Sequence, residues 1–221
     1  MAILAKGSEG VSFEPVPPGA HIARCVTVVD CGMQKIEWKG EEKWQHKVWI
    51  AFEVPGQRAE WVDKEGNEHE GPKIIGKLYT NSISEKSHMG QHLASWRGKA
   101  FTGQEIRDGF DVSVLLGLAC QISVAHNESG GKVYANITGI MGIPAGIEAP
   151  AQETPSTLYD PTASEAPQVY ETLPNWLKEK VDFGHNRTPE NMTPASGEGD
   201  LPEPRPPENH TNTDFDDDIP F

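Results

Sequence analysis

Between His21 and Asp30 the apolar and β-branched residues Ile22, Val26, Thr27, Val28 and Val29 predict a strand. A short hairpin is expected beyond it, from Met33 to Trp38, turning at Lys39-Gly40-Glu41. The clearest alternation runs from Lys43 to Val54. Trp44, His46, Val48, Ile50, Phe52 and Val54 share one face; Lys43, Gln45, Lys47, Trp49, Ala51 and Glu53 share the other. Pro55-Gly56 is expected to end this strand, and Glu60-Trp61-Val62 leads into a charged turn at Asp63-Lys64-Glu65-Gly66-Asn67. Pro72 to Thr80 reads as a third strand, with Ile74, Gly76 and Leu78 on one face and Lys73, Ile75, Lys77 and Tyr79 on the other. The period then changes. Ser84 suits a helix N-cap, Met89, Leu93 and Trp96 recur at helical spacing, and Gly98 stops the helix. A second helical piece fits Asp111 to Leu116. Two further strands, Ala119 to His126 and Lys132 to Ile140, flank a turn at Asn127-Glu128-Ser129-Gly130-Gly131.

Three strands, a helix and two strands is the element order of an OB-fold. The expected fold is therefore mainly β: a five-stranded OB-fold barrel with a helix between strands 3 and 4, occupying residues 1–143. Beyond that point the composition shifts, since 13 of the 18 prolines follow Ile143. A stretch rich in Pro, Glu, Thr, Asn and Gly cannot bury enough apolar surface to offset the entropy of ordering. Residues 144–213 are accordingly expected to be a disordered acidic linker, carrying a tip at 214–221. One part of it is patterned: Pro174 precedes Trp176, Leu177 and Val181 at helical spacing. A short docking helix over 174–181 and a transient turn both remain open, because so short an isolated helix is marginal in water.

Charge divides at the same place. Residues 1–143 hold 15 Lys+Arg against 17 Asp+Glu, whereas 144–221 hold 4 against 16, so most of the net −14 belongs to the tail. A nearly neutral domain can still carry a basic face, because local potential steers a polyanion. No apolar run approaches the ~18–20 residues of a membrane span, and the N-terminus lacks the pattern of a signal peptide. Cys25, Cys31 and Cys120 have no disulfide or metal spacing. A reduced, cytoplasmic protein is expected.

The candidate chemistry is cations interleaved with flat rings, the combination that holds an unpaired polynucleotide strand through phosphates and stacked bases. Lys47 and Trp49 project from the second strand, and Lys73, Lys77 and Tyr79 from the third. Lys35, Trp38, Lys39 and Lys43 lie in and beside the first hairpin, and Trp61 lies in the following loop. Trp44 and Phe52 are assigned to the barrel core by alternation, and Trp96 to the core side of the helix. Trp49 is either wet and functional or covered by a loop or partner. Trp38, Trp61 and Tyr79 read equally as structural or stacking rings. His88 and His92 are four apart, but without a zincin glutamate or a nearby thiolate pair they predict no metal site. Cys25 and Cys120 read as core thiols. No Walker loop, Gly-x-Ser-x-Gly or nuclease acid pair is present, so neither cofactor nor enzyme activity is expected.

The last eight residues, Asp214-Phe215-Asp216-Asp217-Asp218-Ile219-Pro220-Phe221, join an acidic run to a terminal Pro-Phe. Capture of acidic motifs and C-terminal carboxylates by basic pockets is a known recognition mode. This ending resembles the C-terminal tip of bacterial single-stranded DNA-binding proteins, which recruits replication, recombination and repair enzymes. The pattern Leu115-Leu116-Gly117-x-x-Cys120-x-x-x-Val124-x-His126, followed by Gly131-Lys132-x-Tyr134-x-x-Ile137-x-x-Ile140, is similar to the closing hairpin of phage-encoded OB-fold single-stranded DNA-binding proteins. The opening strand motif of the bacterial housekeeping proteins is absent, so their tetramer is not implied. The resemblance implies a non-enzymatic protein of phage origin that coats single-stranded DNA in a bacterial cytoplasm and presents its tip to host or phage enzymes; duplex binding stays open. An arm of this length spans on the order of 45–50 Å, enough for the tip to compete with DNA for its own domain. The rival expectation is a host-takeover adaptor whose tip mimics the bacterial peptide and whose domain binds protein.

Overall fold

Period-two alternation is realised as long, bent strands. A computed structural model describes residues 14–62 and 66–186. The elements are β1 Gly19–Trp38, β2 Glu41–Val62, β3 Glu68–Thr80, α1 His88–Arg97, α2 Gly103–Asp108, a 3-10 turn Val112–Leu115, β4 Ala119–Ser129, β5 Lys132–Met141, β6 Thr157–Tyr159, α3 Ala166–Thr172 and α4 Asn175–His185. The fold is mainly β, a curled antiparallel half-barrel with strand order β3-β2-β1-β4-β5. β1 and β2 reach 20 and 22 residues because bulges bend them, at Cys25/Thr27 and Asp30/Met33 in one strand and between Val54 and Arg58 in the other. The last bulge corrects the expectation that Pro55-Gly56 ends β2. A bulge needs no ladder N–H from proline, and pairing resumes at Arg58 opposite Pro72.

The interior collects the expected alternate residues. Val48, Ile50, Phe52 and Val54 meet Val28 of β1, Tyr79 of β3, Ile122 of β4 and Ile137 and Ile140 of β5, closed over by Met89 and Leu93 of α1. The helix starts one turn later than expected: Ser87, not Ser84, is the N-cap, accepting the Gly90 N–H at 2.9 Å. Gly98, at φ 70°, ends it in the left-handed conformation that glycine tolerates. Lys77 Nζ donates to the Ile137 carbonyl at 3.2 Å, bridging β3 to β5 across the mouth of the half-barrel.

The larger departure is residues 144–186. Expected as disordered linker, they fold onto the outer face of the sheet as a strap. β6 pairs in parallel with Thr27–Val29, along the stretch of the β1 edge beyond its pairing with β4 at Gly19–Arg24. Tyr159, Ala166, Leu173, Leu177 and Val181 form a second apolar cluster with Val29 and Cys31, flanked by Trp49 and Leu78. Of the two alternatives left open for residues 174–181, the helix is the one formed, as α4, Asn175–His185. Two glycines let this helix approach β1. Gly32 stands at φ +64°, and a Cβ on Gly184 would fall 1.8 Å from the Cys31 carbonyl. Gln34 Nε2 donates to the Cys31 and Lys180 carbonyls at 2.7 and 2.8 Å, tying strand to helix. Composition misleads here because a preformed apolar face supplies the burial that the strap cannot generate alone. Residues 187–213 of the expected linker, and the tip, lie outside the described residues. Among the described residues no helix is long and apolar enough to cross a membrane.

Candidate nucleic-acid interface

The pairing register decides which candidates can share a surface. Lys47, Trp49, Ala51 and Glu53 of β2 stand opposite Thr80, Leu78, Gly76 and Ile74 of β3, and together these form the outer face. Lys73, Ile75, Lys77 and Tyr79 alternate to the interior side. The expectation of one surface bearing Lys47, Trp49, Lys73, Lys77 and Tyr79 is therefore corrected, because the two sets lie on opposite sides of the sheet. Tyr79 is 2% exposed, and its hydroxyl hydrogen-bonds His92 Nδ1 at 2.8 Å. Lys77 reaches the Ile137 carbonyl. Lys73 keeps only 11% of its side chain exposed and lies 3.4 Å from the Glu14 carboxylate.

The outer pair is no more open. Lys47 is buried, and its Nζ donates to Thr80 Oγ1 at 2.9 Å. Trp49 lies across Gly76, where a Cβ would come within 2.2 Å of the ring, and meets Trp176 of α4 edge-on at 4.8 Å. Of the two readings of Trp49, the covered one holds. Trp44, expected in the core, is half-buried instead and stacks on Phe183 of α4 at 5.8 Å and 17°. Leu173 at the end of α3 and Leu177 and Val181 of α4 are all buried, in one cluster with Val29 and Cys31 of β1. At roughly 1.5–3 kcal/mol per buried apolar side chain, lifting the strap costs more than the ~1–3 kcal/mol of one stacked base. The strap is part of the fold.

In the first hairpin, Lys35 forms an ion pair with Glu42, and Lys43 lies 3.9 Å from Glu41. Lys39 and Gly40 both have positive φ, 53° and 78°, as a two-residue hairpin turn demands. Trp38 pairs with Glu41 through its backbone, which is all that is described of it. Trp61 is 38% exposed; its ring stacks on His69 at 5.7 Å and lies over Gly71, 3.0 Å from where a Cβ would stand. Asp214, Phe215, Asp216, Asp217, Asp218, Ile219, Pro220 and Phe221 lie outside the described residues.

What remains open is two cavities beside β3, both of which touch Ile74. One, of about 390 Å3, is lined by Val16, Ala59, Trp61, Lys73 and Ile74. The other, of about 340 Å3, is lined by Trp49, Gly76, Pro174, Trp176 and Leu177. The candidates read from the sequence do not include Ile74 or Trp176, which line these cavities. The available signal was the apolar spacing of Trp176, Leu177 and Val181, which suits a helix as well as a turn and does not say where either docks.

The titratable groups serve the strap more than a reaction. Burial opposes ionisation of Asp30, yet hydrogen bonds from His46 and the Gly32 N–H, with His185 nearby, hold its carboxyl below the usual range. The same 2.6 Å bond to Asp30 raises His46. His185 of α4 contacts the Asp30 carbonyl at 3.1 Å. Burial pushes the Cys25 and Cys31 thiols up to about 12 and raises Cys120 as well, so all three remain protonated core thiols at neutral pH. Among the described residues no group of three or more His, Cys, Asp or Glu is placed to hold a metal ion. No protein-family model matches the chain, and no curated protein sequence matches it.

Proposed function

We propose that the chain is a single-stranded DNA-binding protein of the OB-fold type, working without catalysis in replication, recombination or repair. The observation that carries this reading is the strand order β3-β2-β1-β4-β5, with α1 between β3 and β4 and Lys77 bridging β3 to β5. That connectivity fits a five-stranded barrel of the OB type, an architecture that binds oligonucleotides on its β2–β3 side. The acidic Pro-Phe ending supplies the second half of the reading, a peptide that recruits partner enzymes.

The burial of Lys47, the contact of Trp176 with Trp49 and the pairing of Lys35, Lys43 and Lys73 with carboxylates favour the rival, an adaptor whose domain binds protein. Titration of the full chain with a fluorescent oligothymidylate at low and high salt separates the two. The first reading expects saturable binding that weakens as salt rises, because phosphate contacts release counterions, with quenching of tryptophan fluorescence. Absence of binding at low salt overturns it in favour of the adaptor.

A further inference from the structure

We propose that two copies of the chain join through the free edge of β5, which pairs antiparallel with itself across a two-fold axis at Tyr134. The inference does not depend on what the domain binds, and it adds a second copy of the chain as a partner under either reading above.

β5 ends the sheet: it pairs with β4 and with no other strand among the described residues. The register sorts its backbone groups. Gly130 and Gly131, both at positive φ, form a two-residue turn, and the flanking Ser129 and Lys132 make its hydrogen-bonded closing pair. Direction alternates from there. Lys132, Tyr134 and Asn136 turn their N–H and C=O toward β4, whereas Val133, Ala135 and Ile137 turn theirs outward. Lys77 agrees with this assignment, since it reaches the Ile137 carbonyl from β3. That bond caps the edge at Ile137; among the described residues no backbone partner caps Val133 or Ala135. Beyond Lys132 at its first position, β5 carries neither charge nor proline, two devices that commonly guard an edge. Its bulge against β4 lies past Ile137.

A second β5 supplies what those two residues lack. With the two-fold at Tyr134, Val133 of one copy stands opposite Ala135 of the other, and the two such pairs exchange four N–H···O bonds. Tyr134 then faces its own mate as a non-hydrogen-bonded pair, in which Cα atoms approach to ~4.5 Å and aromatic rings interact. Tyr134 is 51% exposed and Val133 44%, so both have area to bury. Charge favours the second copy over a foreign acidic or basic strand. From Asn127 to Asn136 the hairpin holds one acid, Glu128, and one base, Lys132, whereas residues 144–186 hold seven acids against two bases. Two copies therefore meet at the hairpin without the repulsion that the strap would impose. Pairing of five residues falls short of the ~800 Å2 per partner of a standard interface, so the dimer is weak and forms as concentration rises.

Sedimentation equilibrium of the full chain should show monomer and dimer exchanging with concentration. Ala135→Pro deletes two of the four bonds, one N–H from each copy, and should weaken dimerisation about five- to a hundredfold. An edge strand accepts proline where its N–H faces solvent, and circular dichroism melts establish that each variant is folded. Tyr134→Cys tests the register. The expected Cα spacing lies within disulfide range, so oxidised glutathione should link the variant to its own mate, seen as a dimer on a non-reducing gel. Asn136→Cys stands ~13 Å from its mate along the strand and should not cross-link. Cys25, Cys31 and Cys120 are buried and their thiols are raised, so they stay silent in this assay. If Ala135→Pro does not fold, the Tyr134→Cys cross-link decides alone. A wild-type chain that stays monomeric at millimolar concentration overturns the proposal. So does a dimer that Ala135→Pro leaves intact, or equal cross-linking of the two cysteine variants. Loss of oligonucleotide binding in Ala135→Pro, with self-association unchanged, gives the edge to nucleic acid and overturns it too.

Discussion

Glu53 is fully buried on the outer face of β2, and its carboxylate accepts the backbone N–H groups of Glu153 and Thr154, the latter at 2.7 Å. A buried carboxylate is tolerated only with such partners, so this residue anchors the start of the strap to the sheet. Glu53→Ala strands both N–H groups and should lower stability by about 1–3 kcal/mol in urea unfolding; an unchanged midpoint would show that water replaces the carboxylate at no cost. Asp30 of β1 and His46 of β2 form a pair within the sheet, beside His185 of the strap, that carries a pH signature. His46 is raised above its ordinary 6.5, so its contribution is complete below that pH and is lost as pH rises through the folded value. Asp30 is lowered, so its contribution is present above 3.8 and is lost as pH falls through the folded value. The pair is thus strongest at mildly acidic pH. Wild type should lose more melting temperature than His46→Gln between about pH 6 and pH 8.5, and identical slopes for the two proteins would dismiss the pair.

At the scale of elements, α4 shows how far spacing alone reaches. Trp176, Leu177 and Val181 are spaced for a helix but left a turn equally open, and Gly184 one turn on is where the helix touches β1. Nothing local marks Gly184 as a contact; its importance lies in the Cys31 carbonyl, which is more than 150 residues away in sequence. Gly184→Ala sets a methyl against backbone that cannot rotate away, and should cost about 1–3 kcal/mol as an overpacking change. It should also speed proteolysis within residues 144–186. Gly76→Ala meets only the ring of Trp49, which can shift, and should cost less. Should denaturation curves rank the two variants the other way, the docking of α4 would not depend on that close approach. Trp49 is the complementary case. Its neighbours Lys47, Ala51 and Glu53 read as a wet face, yet Ala51 and Glu53 are both buried, because an element more than a hundred residues downstream covers them.

For the whole molecule, the boundary expected at residue 143 cuts through a packed unit. A chain ending at 186 keeps the whole strap. A chain ending at 143 exposes Val29, Cys31, Trp49 and Leu78, and should melt much lower or aggregate, as exposed apolar patches do. Equal melting of the 1–143 and 1–186 chains would return the strap to the status of a linker. On the DNA-binding reading, removing residues 214–221 should leave affinity for single strands equal or higher, since an acidic peptide competes with phosphate for cations. A large loss of affinity in the oligonucleotide titration would end that competition model.

Alternation by itself determined the strands of the half-barrel and the interior set Val48, Ile50, Phe52 and Val54, because the two-residue period of an extended chain is local geometry that no distant contact alters. It also separated Lys73, Lys77 and Tyr79 from Ile74 and Leu78. It did not say which of those faces would meet water. That was decided by the tertiary structure, when the curl of the sheet turned Tyr79 inward and the apolar residues of the strap closed over Trp49. Burial depends on what packs against a face, and a proline-rich segment with few apolar residues orders once a complementary surface is there to receive it.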